Sequence, residues 1–212
     1  MYAYACYSTR MRLSRPFEVV TPTVDGDILA VLGRADGPFS GRQVHRLTGR
    51  RSEPGIRKGL DRLVEQGIVL RRRVGNTHLH SLNRYHLAAE AIIALARLRE
   101  TAFAQMSNQL ESWTPPPVLA AVFGSTARQE ETAGSDIDVL LVRPTDADAE
   151  TWQHSMSHFA ATVSGATGND VRLLDLTHAE LWDPGNEALR KHLIGDSIVL
   201  LGNRDVLHRR AK

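Results

Sequence analysis

Residues 122–142 read VFGSTARQEETAGSDIDVLLV. An apolar run ends in Gly124-Ser125, and after ten intervening residues Asp136-Ile137-Asp138 opens a second apolar run that continues to Val142. Short apolar runs separated by a glycine- and serine-bearing turn read as two buried strands. Successive strand side chains point to opposite faces, so Asp136 and Asp138 share one. Two carboxylates side by side repel each other unless a cation lies between them. Paired hard oxygens suit Mg²⁺, which keeps one or two carboxylates together with substrate phosphates. Gly124 lets the backbone approach a phosphate, and Ser125 offers a hydroxyl and an N–H. The stretch describes a metal-dependent nucleotide site.

Downstream, the pattern predicts a helix from about Asp148 to Ser164 and a turn over 165–169. A strand DVRLLDL follows at 170–176, then short helices near His178 and Glu187, and a strand SIVLLG at 197–202. The class expected for the chain is α+β.

Upstream the signals are helical. Val24 to Gly33 has Ile28, Leu29, Val31 and Leu32 on helical spacing after Thr23, and Gly37-Pro38 closes it. Ser40 followed three residues later by Gln43 is a capping-box start for a second helix that stops near Gly49. A third begins near Ser52 and carries Ile56, Leu60, Leu63 and Val64 on one face. The run IVLRRRVGNTHLHSLN (68–83) then reads as two strands around Gly75-Asn76, a hairpin turn. Three helices and a basic hairpin describe a winged helix-turn-helix, whose third helix enters the major groove of double-stranded DNA. Arg50, Arg51, Ser52, Arg57 and Lys58 stand at the start or on the exposed side of that helix. Arg71, Arg72, Arg73, Asn76 and His78 stand on the wing. These groups can neutralise phosphates or reach a groove; Arg57 is the best base-reading candidate, and the wing arginines suit phosphates.

Residues 86–112 read as one amphipathic helix with a stripe of Ala91, Leu95, Leu98, Ala102, Met106 and Leu110. It would reach about 40 Å and could link domains, form a homodimer, or both. Pro115-Pro116-Pro117 ends it. The expected organisation is a flexible arm over 1–20, a DNA-binding domain over 21–85, a linker or dimerisation helix over 86–114, and a second domain over 115–212.

Charge follows the same division. The net +2 resolves into +7 over residues 1–112 and −5 over 113–212, which suggests that the first half meets an anionic polymer. A 42% hydrophobic and 24% charged composition is that of a globular chain rather than a disordered one. No apolar run is long enough for a bilayer, and the first sixteen residues lack the apolar stretch of a signal peptide. No membrane is expected, and cytoplasm is the default. Cys6 is the single cysteine, which excludes an internal disulfide and a cysteine metal cage. His154 and His158 stand four apart on a helix with no third ligand nearby in sequence, and His78 and His80 share a wing face. Surface or interface roles are expected for all four.

Gly124, Ser125, Asp136 and Asp138 together resemble the motif of the nucleotidyltransferase superfamily that includes DNA polymerase beta, and especially its minimal, antitoxin-like branch. The likeness covers about 115–200 and implies a mixed sheet flanked by helices. From Leu13 onward, the order of parts resembles bacterial helix-turn-helix/nucleotidyltransferase fusion proteins. The resemblance implies a DNA-binding transcriptional regulator whose second domain binds NTP. Asp136 and Asp138 would hold two Mg²⁺ ions, Gly124-Ser125 would hold phosphates, and Arg128, one turn on, could add a contact. It also implies a third acid on a later strand. Asp175, flanked by Leu174 and Leu176, is the candidate if Leu173-Leu174 forms a bulge. Asp170 is the other, and Arg172 takes the acid's place in the simplest alignment. Transfer of a nucleotide to an acceptor, nucleotide sensing without catalysis, and an antitoxin role therefore all stand open.

Overall fold

The computed structural model describes residues 10–49, 51–132 and 134–208. The chain divides into two compact units, one of residues 15–99 and one of residues 1–14 with 100–212.

In the first, α1 (Val24–Arg34), α2 (Gly41–Thr48) and α3 (Glu53–Glu65) precede a hairpin of β2 (Val69–Val74) and β3 (Thr77–Leu82). A two-residue β1 (Phe39–Ser40) pairs with β3, giving an antiparallel sheet ordered β1-β3-β2. The local signals set the boundaries. The Ser40 hydroxyl accepts from the Gln43 N–H while the Gln43 side chain accepts from the Ser40 N–H, and α2 ends at left-handed Gly49. The Ser52 hydroxyl caps α3 by accepting from the Gly55 N–H. Val74 faces Thr77 across the Gly75-Asn76 turn. Ile28, Leu32, Val44, Ile56, Leu60, Leu63, Val69 and Leu82 form the core, and α4 (Ala89–Ala96) adds Ile92 and Ala96 to it.

In the second unit, α5 (Leu98–Glu111) precedes β4 (Leu119–Phe123), α6 (Gly124–Arg128), β5 (Ile137–Arg143) and α7 (Ala149–Thr167). Then come β6 (Val171–Thr177), α8 (His178–Leu181), α9 (Glu187–Asp196) and β7 (Ile198–Gly202). The sheet is mixed, ordered β6-β5-β4-β7, with β5 and β6 parallel and the other pairs antiparallel. A parallel pair needs a crossover, and α7 supplies it. One sheet face packs Ile137, Val139 and Leu141 with Trp152, Phe159 and Val163 of α7 and with Met106 and Leu110 of α5. The other packs Leu119, Leu140 and Val142 with Leu181 and Leu193. Burial on both faces explains why β5 is an unbroken apolar run rather than an alternating one.

Three expectations change. The single helix over 86–112 is two helices separated at Arg97, whose N–H donates to the carbonyls of Ile93 and Ala94. The buried side chains of α4 are Ala89, Ile92 and Ala96, and Ala91 of the predicted stripe is exposed; those of α5 are Met106 and Leu110. These two sets join different cores. The division between units falls at Arg99/Glu100, ahead of the prolines. The arm is not wholly flexible: Leu13 is 1% exposed inside the second unit's core, and Phe17 is 4% exposed inside the first's. Cys6 lies outside the described residues.

Candidate functional site

β4 runs to Phe123, which pairs with Asp138 across the antiparallel ladder. Gly124 then takes φ +71°. A Cβ on it would lie 2.7 Å from Asp138 Oδ2, so only glycine lets this turn and this carboxylate approach each other. The Thr126 hydroxyl, one residue past Ser125, reaches the Asp136 carbonyl at 3.4 Å. The structure thus brings Gly124, Ser125, Asp136 and Asp138 together.

The carboxylates meet guanidinium groups there. Asp136, 14% exposed, accepts from Arg10 Nη1 on Oδ1 at 3.0 Å and pairs with Arg172 Nη2 through Oδ2 at 2.6 Å. Arg10 also donates to the Gly134 carbonyl at 2.6 Å and to the Asp170 carboxylate. Asp170 therefore borders the site through Arg10. Burial pushes the Asp138 carboxyl above its ordinary value; Arg172 opposes this and the neighbouring Asp136 charge adds to it.

Parallel pairing of β5 with β6 sets Asp138 opposite Arg172 and Leu141 opposite Asp175. Asp138 and Arg172 thus share a face, and Asp175 is on the other. There it accepts from Trp152 Nε1 at 3.1 Å and pairs with Arg143 at 3.4 Å. The expectation that Asp175 completes the site is overturned by that placement. The ladder runs through Leu173 and Leu174 without a shift, so the bulge that would have turned Asp175 inward is absent. Arg128 is engaged by Glu130 at 2.8 Å and by His192 at 3.2 Å. His154 and His158 are exposed on α7, and among the described residues no group of three potential ligands gathers to hold a metal.

These residues do not fit a two-metal centre. Arg172 stands opposite Asp138, where the resemblance implies an acid, and both oxygens of Asp136 are already met by guanidinium groups. A divalent ion would have to displace at least one of them.

The basic residues of the first unit are arranged differently. Arg57 and Lys58 on α3 and Arg72 on β2 are exposed, and none is paired with a carboxylate among the described residues. Asn76 and His78 are exposed at the hairpin end. Other candidates serve the fold. Arg51 bonds Asp27 at 2.5 Å and the Pro22 carbonyl at 3.0 Å, and Ser52 caps α3. Arg71 pairs with Asp61 at 2.9 Å, and Arg73 donates to the Gly75 carbonyl. Arg50 lies outside the described residues. A cleft of about 720 Å³ between the helices and the hairpin is lined by Arg42, Arg57, Arg71, Asn76 and His78. Arg42 was not singled out from the sequence; its exposed place at the start of the strongly amphipathic α2 was the available signal.

Residues 71–166 match the model of a family described as Putative nucleotidyltransferase DUF294. The matched segment is nucleotidyltransferase-like and contains Gly124, Ser125, Asp136 and Asp138; it ends ahead of β6, so Arg172 and Asp175 lie outside it. No curated protein matched the chain. Among solved structures the chain is similar to a toxin–antitoxin crystallised with AMP-PNP, at 19% identity over 50% of this chain and 77% of that one, with a TM-score of 0.38. It is similar also to a mutant of the toxin–antitoxin MntA–HpeT (18%, 50% and 77%, TM-score 0.37). A third is the tri-AMPylated Shewanella oneidensis HEPN toxin in complex with MNT antitoxin (18%, 50% and 74%, TM-score 0.34). Among the described residues no helix is long and apolar enough to cross a membrane.

Proposed function

We propose that the chain is a DNA-binding regulator whose nucleotidyltransferase-like unit binds a nucleoside triphosphate and does not transfer it. The observation that carries this reading is Arg172. It stands in register with Asp138 and pairs with Asp136, on the strand where a third acid would complete a two-metal centre. An arginine there supplies no anionic ligand for the ion that activates an acceptor hydroxyl. Its charge suits a polyphosphate. Mg²⁺ belongs to this reading as the ion that accompanies the triphosphate, with Asp136 and Asp138 as its protein ligands once Arg10 and Arg172 turn to the phosphates. Gly124 leaves room for the backbone to approach them.

The three helices and hairpin of residues 15–99 act in this reading as a winged helix-turn-helix. Arg57 and Lys58 face the major groove, and Arg72 meets the backbone. Support comes from the order of elements and from cations on α3 and β2 that have no carboxylate partner among the described residues, where an anionic polymer is an available counter-ion. The test is fluorescence anisotropy of labelled duplex DNA with the full chain, with and without MgATP. Salt-sensitive binding whose affinity changes on adding MgATP is expected. DNA affinity that ignores MgATP at millimolar concentration would remove the sensing role.

A further inference from the structure

Asp136 receives a cation from the far end of the chain, 126 residues away. Arg10 spans three acceptors: the Gly134 carbonyl, the Asp136 carboxylate and the Asp170 carboxylate. The segment that carries it is firmly seated. The Met11 N–H donates to the Thr167 carbonyl at 3.2 Å and to Asn169 Oδ1 at 3.0 Å. Leu13 is buried in the core beside Ile137 and Trp152. The Ser14 N–H donates at 2.6 Å to Glu131, a carboxylate only 7% exposed. Three anchors thus follow Arg10 within four residues.

We infer that Arg10 is a built-in counter-ion: a tethered cation that holds the position at Asp136 where a divalent ion would bind, and that any metal–polyphosphate must displace. A guanidinium and a divalent ion cannot both sit on one poorly exposed oxygen, because their charges repel at that range. A tethered group competes at a high effective concentration. The apparent affinity of a free ion is lowered by the fraction of molecules in which the latch is open. Arg172 presses on the same carboxylate but is 74% exposed, so it moves aside at little cost. Arg10, 23% exposed with three acceptors, is the group that resists. The identity of the natural ligand rests on the nucleotide reading above; the competition at Asp136 stands on the carboxylate geometry alone.

The latch is tested with Mn²⁺ alone, titrated into the full chain and followed by electron paramagnetic resonance. Arg10→Ala should bind Mn²⁺ about tenfold tighter or more. Arg10→Lys, which keeps one charge but cannot span three acceptors, should fall between that variant and the natural chain. Hydrogen exchange gives a second readout. The Met11 and Ser14 amides should exchange faster in Arg10→Ala while the Leu140 amide in β5 stays protected; if β5 loses protection, Arg10→Lys is the variant read. Equal or weaker Mn²⁺ uptake by the variants, including none in any protein, overturns the latch, as does unchanged exchange at Met11 and Ser14. A separate ATP titration distinguishes the two readings. Tighter Mn²⁺ binding with no ATP binding leaves the latch standing and removes the nucleotide.

Discussion

Two clusters, one in each unit, treat charge in opposite ways. On α3 and β2, Arg57, Lys58 and Arg72 are exposed and have no carboxylate partner among the described residues. At the ends of β4, β5 and β6, Asp136 meets two arginines from distant parts of the chain. Charge left open is ready for an external counter-ion, and its binding is governed by salt. Charge already compensated gives up its partner only to a stronger ligand, and its binding is governed by competition. Both clusters look alike when residues are merely counted along the chain, so pairing, rather than abundance, separates them.

The widest separation between the two regimes is expected in DNA binding. Arg57→Ala with Arg72→Ala should lower duplex affinity roughly 100-fold, at about 1–3 kcal/mol per contact, and reduce the salt slope by about one to two. Arg71→Ala, which removes a residue already paired with Asp61, should do much less. Equal losses would erase the distinction between free and paired cations.

At the carboxylate end, Gly124→Ala must hold a side chain at φ +71° with its Cβ 2.7 Å from Asp138 Oδ2. Urea denaturation should show a loss of roughly 1–2 kcal/mol, and nucleotide binding should fall with it. Arg172→Ala should change stability by less than about 1 kcal/mol, since its own side chain is 74% exposed and Asp136 keeps Arg10 as a partner. A large loss would mean that Arg172 holds the fold rather than the ligand.

The smallest effect is one of pH. The Asp138 carboxyl titrates above its ordinary 3.8, so its contribution to stability is present below that value and is lost as pH rises through the folded-state pKa. Asp138→Asn, which stays neutral, should therefore be more stable than the natural chain at neutral pH, and the advantage should vanish as the medium is acidified below 3.8. Denaturation midpoints at several pH values would measure it. An advantage that persists at pH 3 would point to a cause other than titration.

What the sequence made legible was local. The Ser40–Gln43 capping box, the Ser52 cap, the Gly75-Asn76 turn and the Gly124-Ser125 turn each depend on residues within a few positions of one another. The unread parts depend on pairing at a distance. Asp175 faces Trp152 because the parallel register matches it with Leu141, and no pattern within β6 encodes that parity. The break at Arg97 lies inside what reads as one periodic stretch, and the residues on its two sides join different cores. Arg10 carries no local signal at all, since its partners lie more than 120 residues away.

The central claim is that the carboxylate pair binds a nucleotide without using it. The direct measurement is to incubate the full chain with α-labelled ATP and Mg²⁺, with and without duplex DNA and a broad set of acceptors. Filter-retained label and released pyrophosphate are followed together, with Asp136→Ala/Asp138→Ala as the control. The account predicts reversible retention that the double variant loses, with pyrophosphate at background. Pyrophosphate release that depends on Asp136 and Asp138 and leaves a labelled acceptor would contradict it.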